Sequence, residues 1–471
     1  MRSLALVAAG LVWALLAGTA PARAADADPD APPADCSLPA DQRPPDPRCG
    51  EPLDGRAPAT PSTARSVTRG VLWVPRAISR ALFWPVVETS DLVESHQLSD
   101  WLDAILTTDD GRVGVRPLLT YSTGFISTVG LRFFYRRLPG AGSAIGGRFQ
   151  TSGSSVLVGE LDLAGPSWSG LTLRALGNHR DDHLFAGIGP NSQDQLYAQG
   201  HGLARFGSDI WLAELRWSRR MPGGLSANLH GDVQRRDYRA SGVKGGPSVA
   251  TLFALPTAAC AAGAPPSNAC VDPALVPGFQ SGLRIGHAGA ALTWDLRRHA
   301  RDGSGTSAFL DATVGQGLAS DPSRHLLLTG ETILAVGGTD RVLLLRGRAA
   351  MVHRLSSAPV PFEELVTPSG NTGMRGFPEG RFRGESGLVG TAEYRWYIAH
   401  NLDASLFSDV GTVAGPGFAG LGNSRWFPTF GVGLRLVRTP GPYWEGDLNT
   451  GVQLAYAPDG GFRLLLSVAT F

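Results

Sequence analysis

Residues 210–234 read IWLAELRWSRRMPGGLSANLHGDVQ. Trp211, Ala213, Leu215 and Trp217 alternate with Glu214, Arg216, Ser218 and Arg220. Leu225, Ala227, Leu229, Gly231 and Val233 alternate in the same way with Ser226, Asn228, His230, Asp232 and Gln234. Successive side chains of a strand point to opposite faces, so each run has one apolar and one polar face. A strand with hydrocarbon outside and water inside needs this pattern; a strand of a soluble sandwich shows it too. Two features outside the stretch select the membrane. The chain begins with an export signal, and the period of two persists from Gly111 to the end.

The export signal is Arg2, an apolar run from Leu4 to Leu16 and the small-residue site Ala22-Arg23-Ala24, which together predict a signal peptide over 1–24 and a mature chain from Ala25. No Cys stands at the cleavage point, which disfavours a lipoprotein anchor. Beyond it no stretch approaches the roughly 20 consecutive apolar residues that a helix needs to cross a bilayer, so any crossing is made by strands. The 61 Gly, 8% aromatic and 18% charged residues suit such strands. With 42 basic against 41 acidic residues, net charge +1, the chain has no electrostatic footprint for nucleic acid. Its cysteines fall as two local pairs, Cys36 with Cys49 and Cys260 with Cys270, in Pro/Ala-rich segments without an accompanying His. In an oxidising compartment this predicts two small disulfide loops rather than a metal site.

Residues 25–65 are rich in Pro, Ala and Asp and read as a disordered periplasmic arm. Residues 66–111 carry two short amphipathic helical patterns, one with Arg76 and Arg80 a turn apart, the other opening at Ser90 with Leu98, Trp101, Leu102 and Ile105 along one stripe. They are read either as helices lying on the membrane or plugging the barrel mouth, or as a cap on the periplasmic end. From 112 to 471 the pattern is a barrel. Strands are expected near 281–297, 305–318, 323–337, 341–355, 385–399, 402–414, 425–438, 442–457 and 460–471, with long loops at about 241–280 and 356–384. Bacterial single-chain barrels have an even strand number and longer outer loops, so both long loops join an odd strand to an even one. With five strands after the second loop, the fold class is an all-β transmembrane, antiparallel 16-stranded outer-membrane barrel with loops after strands 7 and 11. This count assigns one strand to Arg112–Arg136, with part of it as lead-in, although periodicity alone allows two.

The second long loop and its flanks read PFEELVTPSGNTGMRGFPEGRFRGESGLVGTAEYRWYI, residues 361–398. Met374-Arg375-Gly376-Phe377 is similar to the (V/I/L)RG(F/Y) loop tip of the BamA/TamA superfamily, with Met in the aliphatic place. Phe407-Ser408-Asp409-Val410-Gly411 resembles its FxDxG strand, and Gly431-Val432-Gly433-Leu434-Arg435 followed by Thr439-Pro440-Gly441-Pro442 resembles its penultimate segment. The fragment Leu184–Gly189 resembles an FYGIG pattern more weakly. The resemblance implies that the loop folds back into the lumen. Facing alone places Glu393 and Asp409 inward on adjacent strands, where one guanidinium pairs with both; Arg375 is the candidate. The other reading of Arg375 is an arginine of a surface loop.

Members that insert or secrete proteins carry periplasmic POTRA domains, whereas only about 45 residues separate the arm from the first strand here, and no complete POTRA domain is expected. The last strand ends in Phe471, out of phase with its best lipid face of Phe462, Leu464, Leu466 and Val468. No GxSxG elbow, P-loop or HExxH occurs, and no catalysis, cofactor or metal is expected. His179 and His183, flanking Asp181 and Asp182, read as a solvated turn, and the lumenal Ser226, His230 and Asp232 as ordinary inner-face residues. The resemblance implies an assembly or translocation barrel that moves a protein or lipid client through a strained first/last-strand seam. The expected partners are outer-membrane lipid and lipopolysaccharide, the client and a periplasmic protein. A passive, partly plugged pore for small solutes is the alternative, and a structural or adhesive surface protein the third.

Overall fold

A backbone N–H or C=O inside hydrocarbon must be paired within the protein, so alternating strands that cross a bilayer have to close on one another. In a computed structural model they do. The structure describes residues 106–469 except 109–110, 138–141, 167–168, 190–202, 241–242, 244–245, 261–265, 298–303, 320, 339–340, 372, 400–401 and 437–450. The signal segment, the arm with Cys36 and Cys49, nearly all of 66–111, the Thr439–Pro442 motif and Phe471 lie outside the described residues.

The first seven strands are β1 Val113–Ser122, β2 Thr128–Arg136, β3 Ala144–Thr151, β4 Val156–Ala164, β5 Leu171–Phe185, β6 Ala204–Met221 and β7 Leu225–Arg239. After the first long loop come β8 Leu283–Asp295, β9 Gly305–Gly317, β10 Arg324–Gly338 and β11 Arg341–Arg354. The second precedes β12 Ser386–Ala399, β13 Leu402–Ala414, β14 Phe427–Leu436, β15 Gly451–Ala457 and β16 Gly461–Ala469. Each pairs antiparallel with its sequence neighbours, and β1 pairs with β16 to close the barrel of 16 strands. The long loops follow strands 7 and 11.

One expectation is corrected. Arg112–Arg136 contributes two strands, β1 and β2, joined by a turn at Gly124, whose φ of +89° suits glycine. Periodicity allows both strands; the count of 16, with too many strands expected over 137–240, required one. The total is preserved because β5, β6 and β7 take up 15, 18 and 15 residues, so 137–240 holds fewer strands than the count required. Since about 9–11 residues of a tilted strand cross a bilayer, these three project beyond it. His179 and His183 accordingly belong to β5 and not to a turn, with a bulge between Arg180 and His183.

The outer face is apolar and exposed: Val129, Leu131, Phe133 and Tyr135 on β2, Leu157, Leu161 and Leu163 on β4, Leu229 and Val233 on β7, Leu343 and Leu345 on β11. A continuous apolar exterior of this extent is untenable in water, and it places the barrel across a bilayer. The inner face is charged and paired, as in Arg174–Glu160 at 2.8 Å, Arg346–Glu331 at 2.7 Å and Arg435–Asp403 at 3.0 Å.

The projecting ends of β5–β7 bring Phe185, Phe206 and Tyr238 against Phe253, Val271 and Phe279 of the first long loop and Phe362 of the second, in one buried cluster. Cys260 and Cys270 form a disulfide within the first loop, Cα atoms 5.4 Å apart. Asn268 ties that loop to β7, accepting from the Ala240 amide (2.8 Å) and donating to the Tyr238 carbonyl (2.6 Å).

Leu229, 53% exposed on the lipid side of β7, tests the assignment of faces. Leu229→Arg is expected to cost about 2–4 kcal/mol in urea unfolding from lipid vesicles, whereas Asn228→Arg on the lumenal side costs much less. Equal costs would mean that the faces are misassigned.

Candidate functional site

The second long loop, 355–385, folds into the lumen, and its tip is bonded to three strands. Period two turns Phe407, Asp409 and Gly411 of β13 inward together, and each meets the tip. Asp409, fully buried, accepts from the Arg375 amide (3.1 Å), Nε (3.0 Å) and Nη2 (2.8 Å), and from the hydroxyls of Thr391 on β12 (3.0 Å) and Thr429 on β14 (3.1 Å). Glu393 on β12 accepts from Arg375 Nη1 at 2.7 Å and from Arg395 Nε at 2.6 Å. The guanidinium lies 3.4 Å from the centre of the Phe407 ring, a cation–π contact strengthened by desolvation. Burial pushes the Arg375 guanidinium down, but the hydrogen bonds and charges of Asp409 and Glu393 override this and hold it above its ordinary value.

Glycines give the tip its room. A Cβ at Gly431 would lie 2.2 Å from the Phe407 ring, and one at Gly411 would lie 2.9 Å from Met374 Sδ. Glycine at these two strand positions admits the aromatic platform and the methionine. Gly376 backs onto Thr429 at similarly close range. Met374 and Phe377 are fully buried with Phe382, Val389, Val413, Phe427 and Ala457. Phe377 and Phe382 pack edge to face at 4.9 Å.

Sequence reasoning did not find the groups that complete the site. Arg463 on β16 donates from Nη1 to the carbonyls of Arg375 (3.0 Å) and Phe377, and from Nη2 to Ser122 Oγ on β1 (2.7 Å). It bonds the loop tip to both strands of the closure. That closure is short: among the described residues β1 and β16 are in register only from Leu118–Ala469 to Ser122–Leu465, whereas β1 meets β2 from Val113 to Thr120. Deeper in the loop, Glu363 accepts from Arg383 Nη2 (2.7 Å) and from Arg236 Nη1 on β7 (3.0 Å). Burial would raise the Glu363 carboxyl, but Arg383 and Arg236 hold it below its ordinary value. The Leu184–Gly189 fragment also touches the loop, its Gly189 amide donating to the Arg383 carbonyl at 2.7 Å. Arginine and threonine at these positions look like any lumenal residues in sequence, and no local signal marks them. His179 and His183 do not share a site: His179 Nδ1 meets Asp209 at 2.6 Å and His183 Nε2 meets Ser208 at 2.9 Å.

No protein-family model matches the sequence, and no curated protein matches it. Among solved structures the chain is similar to BamA from Haemophilus ducreyi lacking POTRA domains 1-3, with a TM-score of 0.51 at 14% identity over 76% of this chain and 70% of that one. CdiB from Acinetobacter baumannii matches with a TM-score of 0.45 at 12% identity, over 76% of this chain and 60% of that one. CdiB from Escherichia coli matches with a TM-score of 0.45 at 13% identity, over 76% and 63%. The chain therefore spans less than two thirds of either CdiB. The barrel has the fold of BamA.

Arg375→Ala leaves the buried Asp409 carboxylate without its cation and Glu393 with Arg395 alone. It is expected to destabilise the folded barrel by about 3–5 kcal/mol, read as a lower urea midpoint and an earlier heat-induced mobility shift. Arg375→Lys, which keeps the charge but not the fork, should fall between. A wild-type midpoint for Arg375→Ala would mean that the tip does not depend on this group.

Proposed function

We propose that the chain is a bacterial outer-membrane barrel of the assembly and translocation type, which moves a protein or lipid client through the β1–β16 seam and performs no catalysis. The observation that carries this reading is Arg463, whose guanidinium bonds the plugging loop and the first strand from the last one. Among the described residues the seam is in register along half of β1, and such a short closure costs least to part. Each backbone group exposed there to hydrocarbon costs several kcal/mol, so parting is favoured only when something else pairs with the edge. An incoming client strand does this by adding to the sheet.

On this reading the apolar belt contacts outer-membrane lipid and lipopolysaccharide, and a periplasmic protein delivers the client to the opposite rim. A passive, partly plugged pore is the second reading. The fastening of the loop by Arg375 disfavours it, since a permanently open channel has no need of a buried ion pair across its lumen.

Two measurements separate them. In planar bilayers the wild-type chain is expected to be nearly closed and to open when residues 361–384 are deleted; large, steady openings independent of the loop would favour the pore. Joining Tyr121→Cys to Leu466→Cys, which face each other across the seam, should reproduce in cells the defect of a deletion strain and be reversed by reductant. A crosslinked barrel that works normally would sink the seam mechanism.

A further inference from the structure

We infer that His287, His325 and Glu364 form a binding site for one divalent transition-metal ion of the zinc class, with Asp232 as the outer carboxylate that orients His287. The register lays out the site. Asp232 of β7 pairs with His287 of β8, His287 pairs with Gly315 of β9, and Gly315 pairs with His325 of β10, so the four stand in one row across the wall. Glycine in the middle of the row leaves a niche: a Cβ at Gly315 would fall 2.5 Å from His325 Nε2. The two imidazoles lean over it, ring centres 6.2 Å apart, and Glu364 descends into the same niche from the lumenal loop.

The three donor atoms converge. His287 Nε2 lies 3.1 Å and His325 Nε2 3.5 Å from the same oxygen, Glu364 Oε2, and all three lie within 4.8 Å of one another. Bonds of about 2.0–2.1 Å to a tetrahedral ion place neighbouring donors about 3.3 Å apart, which matches the distances from the two imidazoles to Glu364 Oε2.

His287 Nδ1 is 2.9 Å from Asp232 Oδ1 and 3.3 Å from Gln234 Nε2. The closer, charged partner sets the tautomer, with Nδ1–H donating to Asp232. Nε2 then faces the Glu364 carboxylate oxygen at 3.1 Å, a place filled by a proton on the imidazole in the metal-free chain and by the ion, which displaces that proton, on binding. A histidine bonded to a carboxylate through its other nitrogen is the usual support of a metal ligand. His325 is 1% exposed and its Nδ1 has no hydrogen-bond partner, nor has Glu364 Oε1. Arg236 comes no closer than 3.9 Å to Glu364, its shorter bond being to Glu363. Unsatisfied polar atoms this deeply buried are rare in native proteins.

Two imidazoles and one carboxylate are a zinc-type donor set with a fourth position left for water or an exchangeable group. Because His287 and His325 belong to the wall and Glu364 to the loop, the ion fastens the entry limb of the plug, separately from Arg375.

The test uses the full chain in detergent, free of affinity tags, stripped with chelator and titrated with zinc chloride by calorimetry. Metal content is then measured after desalting. One zinc per chain is expected. Glu364→Gln and His325→Gln should weaken binding at least about 100-fold, and Asp232→Asn about 10–100-fold. His353→Gln, at an exposed position of β11, should leave it unchanged. Absence of stoichiometric zinc in the wild-type chain, or undiminished binding in Glu364→Gln, overturns the proposal. X-ray absorption on the zinc-loaded wild type guards against a variant that fails to fold: two imidazoles in the coordination shell support the site, and a shell without imidazole overturns it.

Discussion

At the centre of the barrel wall the carboxylate of Asp409 accepts from the amide, Nε and Nη2 of Arg375 and from the hydroxyls of Thr391 and Thr429. The tip of the lumenal loop is arranged around this group. A buried carboxylate is tolerated only when its charge is paired and its lone pairs are filled. The cation comes from the loop, one hydroxyl from each neighbouring strand, and the second carboxylate from β12. The tip must therefore sit at one depth and in one orientation, and this in turn brings Met374 against Gly411 and the tip carbonyls within reach of Arg463. The outer wall follows a different constraint, the pairing of every backbone group that hydrocarbon surrounds.

Much of this was legible in the residues, for a definite reason. A period of two assigns each side chain to a face without knowledge of its neighbours, so Glu393 and Asp409 could be placed in the lumen together, and parity could number the loops after strands 7 and 11. At β1 and β2 the period allowed two strands, and the parity count reduced them to one because parity fixes a total and not how strands of unequal length share the chain. The period of two was also silent on Arg463 and Thr429. Whether two inward residues touch depends on the register between strands and on how far a loop descends, and neither is encoded locally. The row Asp232, His287, Gly315, His325 shows this most clearly: its members are separated by long stretches of chain and become neighbours only when hairpins are in register.

The lumenal loop is held differently along its length. Its tip is held by ion pairs, its entry limb by Phe362 in an aromatic cluster shared with the first long loop, and Glu363 by arginines from the wall and from the loop itself. Aromatic burial is non-directional and tolerates small shifts, whereas a bidentate guanidinium does not. The tip is thus the part whose release is all or none.

Arg463 gives that release a further meaning. One side chain bonds the plug and the first strand from the last strand, so the two equilibria, plug bound or free and barrel closed or parted, share a term. Linkage then requires reciprocity: by whatever factor freeing the plug favours a parted barrel, parting the barrel favours a freed plug by the same factor. A load on β1 from the membrane side and a force on the loop from the lumen therefore push the molecule toward the same state, and neither has to act first.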